Sequence, residues 1–104
     1  MKDINLILEN IVYVELLRRG YEVNVGKAGD KEIDFVCNRQ AEKLYVQVTY
    51  LLASKETIDC EFGVYDDIRD NYPKYVVSLD ELDMSQNGIK HRNICDFLLA
   101  DEWN

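Results

Sequence analysis

Asp34 and Gln47 stand on consecutive stretches of the segment Lys31 to Tyr50, KEIDFVCNRQAEKLYVQVTY, which alternates apolar and polar residues as two strands of a hairpin do. A carboxylate on one strand, an acid or carboxamide on the next, then one spacer and a lysine, is the set that a divalent metal and a scissile phosphate require. Hard oxygens hold Mg²⁺, the backbone carbonyl between them adds a ligand, and the lysine stabilises charge growing on the phosphate. Here Asp34 and Gln47 fill the first two places, and Thr49 fills the place of the lysine. Losing one charge-stabilising donor costs roughly 10² to 10³ in rate, about 3 to 4 kcal/mol, and the carboxamide in place of a second carboxylate adds to that. Efficient cleavage is therefore not expected.

Strand alternation places Ile33, Phe35 and Cys37 on one face and Asp34 and Val36 on the other. On the next strand Leu44, Val46, Val48 and Tyr50 share a face, opposite Tyr45, Gln47 and Thr49. A turn through Asn38 to Glu42 brings Asp34, Gln47 and Thr49 to one side if it sets a compatible register. Any half-exposed antiparallel hairpin alternates in the same way, so the spacing by itself carries little weight.

Around the hairpin, Ile4 to Gly20 reads as a helix that is apolar around most of its circumference, hence buried on more than one side, with Arg18, Arg19 and Gly20 as its stop. Tyr21, Val23 and Val25 form a first strand, with Gly26, Ala28 and Gly29 in the turn that follows, so three strands make an antiparallel meander. Ile58, Phe62, Tyr65 and Ile68 have helical spacing within Lys55 to Ile68, and Tyr75 to Leu79 reads as an inner strand. A helix between the third and fourth strands implies a right-handed crossover and parallel pairing. Ile89 to His91 reads as a short edge strand, Asn93 as the cap of a short helix through Ile94, Phe97 and Leu98, and Trp103 lies in a terminal tail.

One domain is expected of 104 residues, and there is no internal repeat, linker or low-complexity segment. No apolar run approaches the ~20 residues of a membrane span. The start, MKDINLILEN, carries acidic and amide groups unlike a secretory signal, so a cytoplasmic setting is expected. Cys37, Cys60 and Cys95 are widely spaced and His91 is the lone histidine, which argues against a zinc site or disulfide framework and for buried free thiols. The first 52 residues hold 7 basic and 8 acidic groups and the remainder 5 and 12, so the charge of −8 falls as −1 and −7. Nucleic-acid binding is thereby disfavoured for the isolated acidic domain.

The blocks LENIVYVELLRRGYEVNVGKAGDKEIDFV, YVQVTYLLAS, EFGVYDDIRDNYPKYVVSLDE and GIKHRNICDFLL cover the chain from Leu8 to Leu99 with few gaps. Together they resemble the C-terminal domain of unknown function attached to predicted prokaryotic AAA-type ATPases, which looks like a member of the PD-(D/E)XK nuclease-like superfamily. The resemblance implies an α/β, restriction-endonuclease-like fold: a mixed sheet with a three-strand meander, a crossover helix and a further strand, and helices on both faces. It implies that residues 1–104 are one nuclease-like domain, the C-terminal part of a larger ATPase or a stand-alone copy. Glu9 then matches the helix acid, Asp34 the strand acid and Gln47 the acid or glutamine of the next strand, a candidate, vestigial Mg²⁺ set; Thr49 departs from lysine, although Lys27, Lys31 and Lys43 are near in sequence. An acid amid Leu6, Ile7, Leu8, Ile11 and Val12 is costly to bury unpaired, and its bland reading is an exposed acid on a polar strip near Tyr13. None of the five glycines begins a P-loop, so ATP binding would belong to an N-terminal ATPase domain of the same protein, the implied partner.

Three functions follow as expectations. The first is a degenerate nuclease-like accessory domain with a protein-contact or regulatory role. The second is a Mg²⁺-dependent nuclease acting on DNA through Glu9, Asp34 and Gln47. The third is an interaction module that self-associates or docks through groups such as Tyr50, Leu51 and Leu52.

Overall fold

The structure, a computed structural model, describes residues 3–104. Its elements are α1 (Ile4–Arg18), β1 (Glu22–Ala28), β2 (Lys31–Arg39), β3 (Glu42–Val48), α2 (Lys55–Gly63), β4 (Lys74–Ser78), β5 (Lys90–Asn93) and α3 (Ile94–Leu99). The strands form one sheet in the order β1-β2-β3-β4-β5, with β1–β2 and β2–β3 antiparallel and β3–β4 and β4–β5 parallel. The fold is α/β around a five-stranded mixed sheet.

Both sheet faces are covered. Leu8, Val12 and Leu16 of α1 and Ile94 and Phe97 of α3 pack on Leu44, Val46, Val48, Tyr75 and Val77. On the opposite face Phe62, Val64 and Tyr65, on and just after α2, pack on Ile33, Tyr45 and Val76. The alternation read along β3 is therefore the alternation of its two cores. Each fully buried aliphatic side chain contributes about 1.5–3 kcal/mol, which holds the layers on the sheet.

Local chemistry sets the ends of the elements. At the end of α1 the Tyr21 N–H donates to the Leu16 carbonyl and the Gly20 N–H to the Leu17 carbonyl, a Schellman closure that needs the left-handed φ of +89° at Gly20. The Ser54 hydroxyl accepts the Thr57 N–H and caps α2, and the Asn93 side chain accepts the Cys95 N–H and caps α3, as its position suggests.

Several expectations need correction. α1 buries one face only, because β-sheet and α3 contacts reach just one side of it; Leu6, Ile7, Ile11, Tyr13, Val14 and Leu17 are exposed. β1 runs on to Ala28 instead of turning at Gly26, because its pairing with β2 continues to Ala28↔Lys31. α2 stops at Gly63, after which Tyr65, Asp66 and Ile68 N–H groups bond three residues back in successive tight turns. The last strand is Lys90–Asn93. Tyr50 lies past the end of β3 and is exposed with Leu51, whereas Leu52 is buried. Cys60 and Cys95 are exposed, and only Cys37 is a buried thiol, pushed up to about 12 by burial. Among the described residues no helix is long and apolar enough to cross a membrane.

Candidate functional site

The ladder between β2 and β3 runs from Arg39↔Glu42 to Phe35↔Val46 and stops there. On the other side of β2, the pairs Asn24↔Val36 and Gly26↔Ile33 leave Val25 opposite both Asp34 and Phe35. That extra residue is a bulge, and it breaks the alternation of the strand. Ile33 consequently joins Val36 in the core under α2, while Phe35 and Cys37 face α1, so Ile33 does not share a face with Phe35 and Cys37 as simple alternation predicts.

Where the ladder parts, side chains take over its hydrogen bonds. Gln47 Oε1 accepts the Asp34 N–H at 2.5 Å, and Asp34 Oδ2 accepts the Val48 N–H at 2.9 Å. A buried amide left without an acceptor costs about 1–3 kcal/mol, so this exchange alone gives both residues a structural role. The Gln47 amide is buried, and its orientation is set by its neighbours: its oxygen must meet the Asp34 N–H, which turns Nε2 toward Glu61 Oε1 at 3.3 Å.

Glu61, on α2, is the residue that reading the sequence missed. It lies three positions after Ile58 and just before the buried Phe62, on the flank of the apolar face of α2, and that placement was the available signal. Burial pushes its carboxyl up to about 7; the Asp34 charge adds to this, the Gln47 amide opposes it, and Glu9 adds a little more. Burial also raises Asp34, against the Val48 N–H and with help from Glu32. Glu9, half-buried on α1, is raised by burial and by Asp34. The structure thus brings Asp34 and Gln47 into contact and puts Glu9 and Glu61 within electrostatic reach of Asp34, one from each helical layer. The neighbouring charges that shift these three carboxyls, Asp34, Glu32 and Glu9, are themselves acidic.

Thr49 is buried just beyond β3, its N–H donating to the Val77 carbonyl. The nearby lysines point to other tasks. Lys31 Nζ donates to the Gly63 carbonyl at the end of α2, Lys43 lies over the Tyr45 and Tyr72 rings, and Lys27 pairs with Glu32 in the β1–β2 ladder.

As arranged, the donor set does not fit a divalent metal. The Gln47 carbonyl oxygen and one Asp34 oxygen are committed to backbone N–H groups, and the other end of Gln47 presents a donor. Among the described residues no three His, Cys, Asp or Glu side chains are grouped closely enough to hold an ion. The arrangement can do two things: hold a proton near neutral pH, and pin the divergence of β2 from β3.

A second buried cluster has the composition of a hydrolase triad without its geometry. Ser78 Oγ lies 2.7 Å from His91 Nε2 and donates to Asp80 Oδ2 at 2.8 Å. The Met84 N–H donates to His91 Nδ1, which assigns the ring hydrogen to Nε2, facing the serine. A ring nitrogen that already carries hydrogen cannot take the proton of Ser78. Asp80 also accepts the Leu52 N–H, so the cluster ties the ends of β3 and β4 to the loop before β5.

No family model and no solved structure matches the chain. It is 41% identical over 93 residues to a Haemophilus influenzae protein described as an uncharacterized protein. The match takes in 88% of this chain and 22% of that protein, so the chain spans about a fifth of the length of the curated relative it matches.

Proposed function

We propose that this chain is a degenerate, restriction-endonuclease-like accessory domain that serves protein contact or regulation beside an ATPase domain of the same protein and does not cleave nucleic acid efficiently. The observation that carries the reading is the Asp34–Gln47 exchange: the oxygens that a nuclease of this kind would turn to a metal accept backbone N–H groups instead. The buried Thr49 at the place of the lysine supports it, and so does the order helix, meander, helix, strand. The length of the relative is in keeping with a further domain in the same polypeptide. The carboxyls of Glu9, Asp34 and Glu61, set around the point where β2 parts from β3, repel a phosphate backbone.

A second reading, a Mg²⁺-dependent nuclease acting on DNA with Glu9, Asp34 and Gln47, is favoured by one observation: Glu61 adds a third carboxyl to the cluster. Incubation with supercoiled plasmid and with single-stranded DNA in Mg²⁺ or Mn²⁺ separates the two. The first reading expects no cleavage and no heat of metal binding by calorimetry. Nicking that disappears in Asp34→Ala establishes the second.

A further inference from the structure

We propose that His91 is a pH-operated latch on the loop between β4 and β5: the neutral ring holds the loop closed, and a proton on Nδ1 releases it. This goes beyond the reading above, since it holds whether or not the carboxylate cluster acts on nucleic acid.

The segment Glu81–Ser85 lies outside helix and strand and is exposed except at Met84. Among the described residues, two hydrogen bonds tie it to the rest of the fold while the ring is neutral, and both are on His91. The Met84 N–H donates to Nδ1 at 3.1 Å, and the His91 N–H donates to Ser85 Oγ at 2.8 Å. The Arg92–Asp83 pair adds little, being exposed and 3.8 Å long. The other edge of the ring is anchored in the sheet. Nε2–H donates to Ser78 Oγ, which donates to Asp80 Oδ2, and Asp80 also accepts the Leu52 N–H. With Nε2 already carrying hydrogen, Nδ1 is where a second proton must go.

A proton there sets one N–H against another, so the Met84 amide loses its acceptor. The imidazole is almost wholly buried, at 1% exposed, and solvent delivers that proton only when the loop lifts, which couples titration to opening. The loop carries a partner for each state: the Met84 N–H for the neutral ring and, two residues earlier, the Leu82 carbonyl, which favours the charged one. The charged groups facing the ring are Asp80 and Asp83 of the loop, which favour the proton, and Arg92 of β5, which opposes it. From the α2 side, Asp59 and Asp66 share a cavity of about 200 Å³ with Gln86 and Asn87 farther along the loop. Burial outweighs the acids and holds the closed ring below its ordinary 6.5. A freed ring returns toward that value, so acidification below it favours the open loop. Asn87, Gly88 and Ile89 of the same loop line a cavity of about 510 Å³ with Tyr65, Asp70 and Lys74, so release of the loop reshapes that cavity.

His91 is the single histidine of the chain, so its imidazole signals in an NMR titration of the 104-residue protein are unambiguous. From about pH 8 to about pH 5 the ring is expected to titrate with a midpoint below 6.5. The protection factor of the Met84 amide is expected to fall about 10-fold or more in step with it, as the loss of one hydrogen bond of ordinary strength gives. The amide of Val77, inside the sheet, keeps its protection over the same range, which separates local opening from unfolding. In His91→Asn a side-chain oxygen replaces Nδ1 as the acceptor, and the Met84 amide is expected to stay protected with no pH dependence. A ring that titrates without change at Met84, one that titrates at or above 6.5, or one that stays neutral throughout overturns the proposal. So does joint loss of protection at Met84 and Val77, or a pH dependence that survives in His91→Asn. Should that variant not fold, the titration of the unaltered chain decides by itself.

Discussion

Glu61 holds its proton more tightly in the folded protein than in the unfolded chain, because burial and the neighbouring Asp34 both oppose its ionisation. A carboxyl raised in this way contributes stability that is fully present below its unfolded value near 4.5 and is lost as pH climbs through about 7, where the folded form must ionise too. Glu61→Gln keeps an acceptor for the Gln47 amide and removes the ionisation. It is expected to stabilise the fold above pH 7 by on the order of 1–3 kcal/mol and to flatten the loss between pH 4.5 and 7. Urea midpoints measured across that range check it; equal slopes in the two proteins would refute the assignment. Asp34 and Gln47 were visible in the sequence as a polar pair on adjacent strands. That they bond each other's backbone, and that the third acid comes from α2, was not, because a hydrogen bond across diverging strands depends on where the ladder stops.

At the scale of elements, the bulge in β2 is what brings Asp34 to the gap between the strands, and Gly26 permits it. A Cβ on Gly26 would collide with the Val36 Cγ2 methyl, which cannot swing away because its χ1 is stiff. Gly26→Ala is expected to cost about 1–3 kcal/mol through overpacking, read from chemical denaturation. A loss below experimental error would mean that β1 moves freely against β2. The bulge also explains why simple alternation misplaced Ile33: period two is a property of an unbroken strand, and the sequence carries no mark of the extra residue. The helix α1 was legible from its apolar spacing, and its stop from Gly20. Its free outer face was not, since burial belongs to the neighbours an element finds and not to its own composition. α2 ends early for a related reason, because the turns after Gly63 still carry Tyr65 and Ile68 to the same core without helical geometry.

Across the whole molecule, the C-terminal tail closes the core on the α1 side. Trp103 stacks on Phe97 with ring centroids 4.4 Å apart, donates its indole N–H to the Phe97 carbonyl, and lies under the Arg19 guanidinium at 3.9 Å. Arg19 also bonds Glu15 and the Leu98 carbonyl, so one cluster joins the end of α1, α3 and the tail. Trp103→Ala is expected to lower stability by about 3–5 kcal/mol, measured by denaturant titration, a value that a loosely attached tail would not approach. By itself the sequence determined the class of fold, the order of helices and strands, the parallel pairing after the crossover helix and the acidic second half. These follow from periodicity, capping residues and charge, which act over a few residues. Only the tertiary structure decided that Glu61 joins Asp34, that Gln47 spends its oxygen on a backbone amide, and that α1 keeps an apolar face free, because each depends on the distance between groups far apart in the chain.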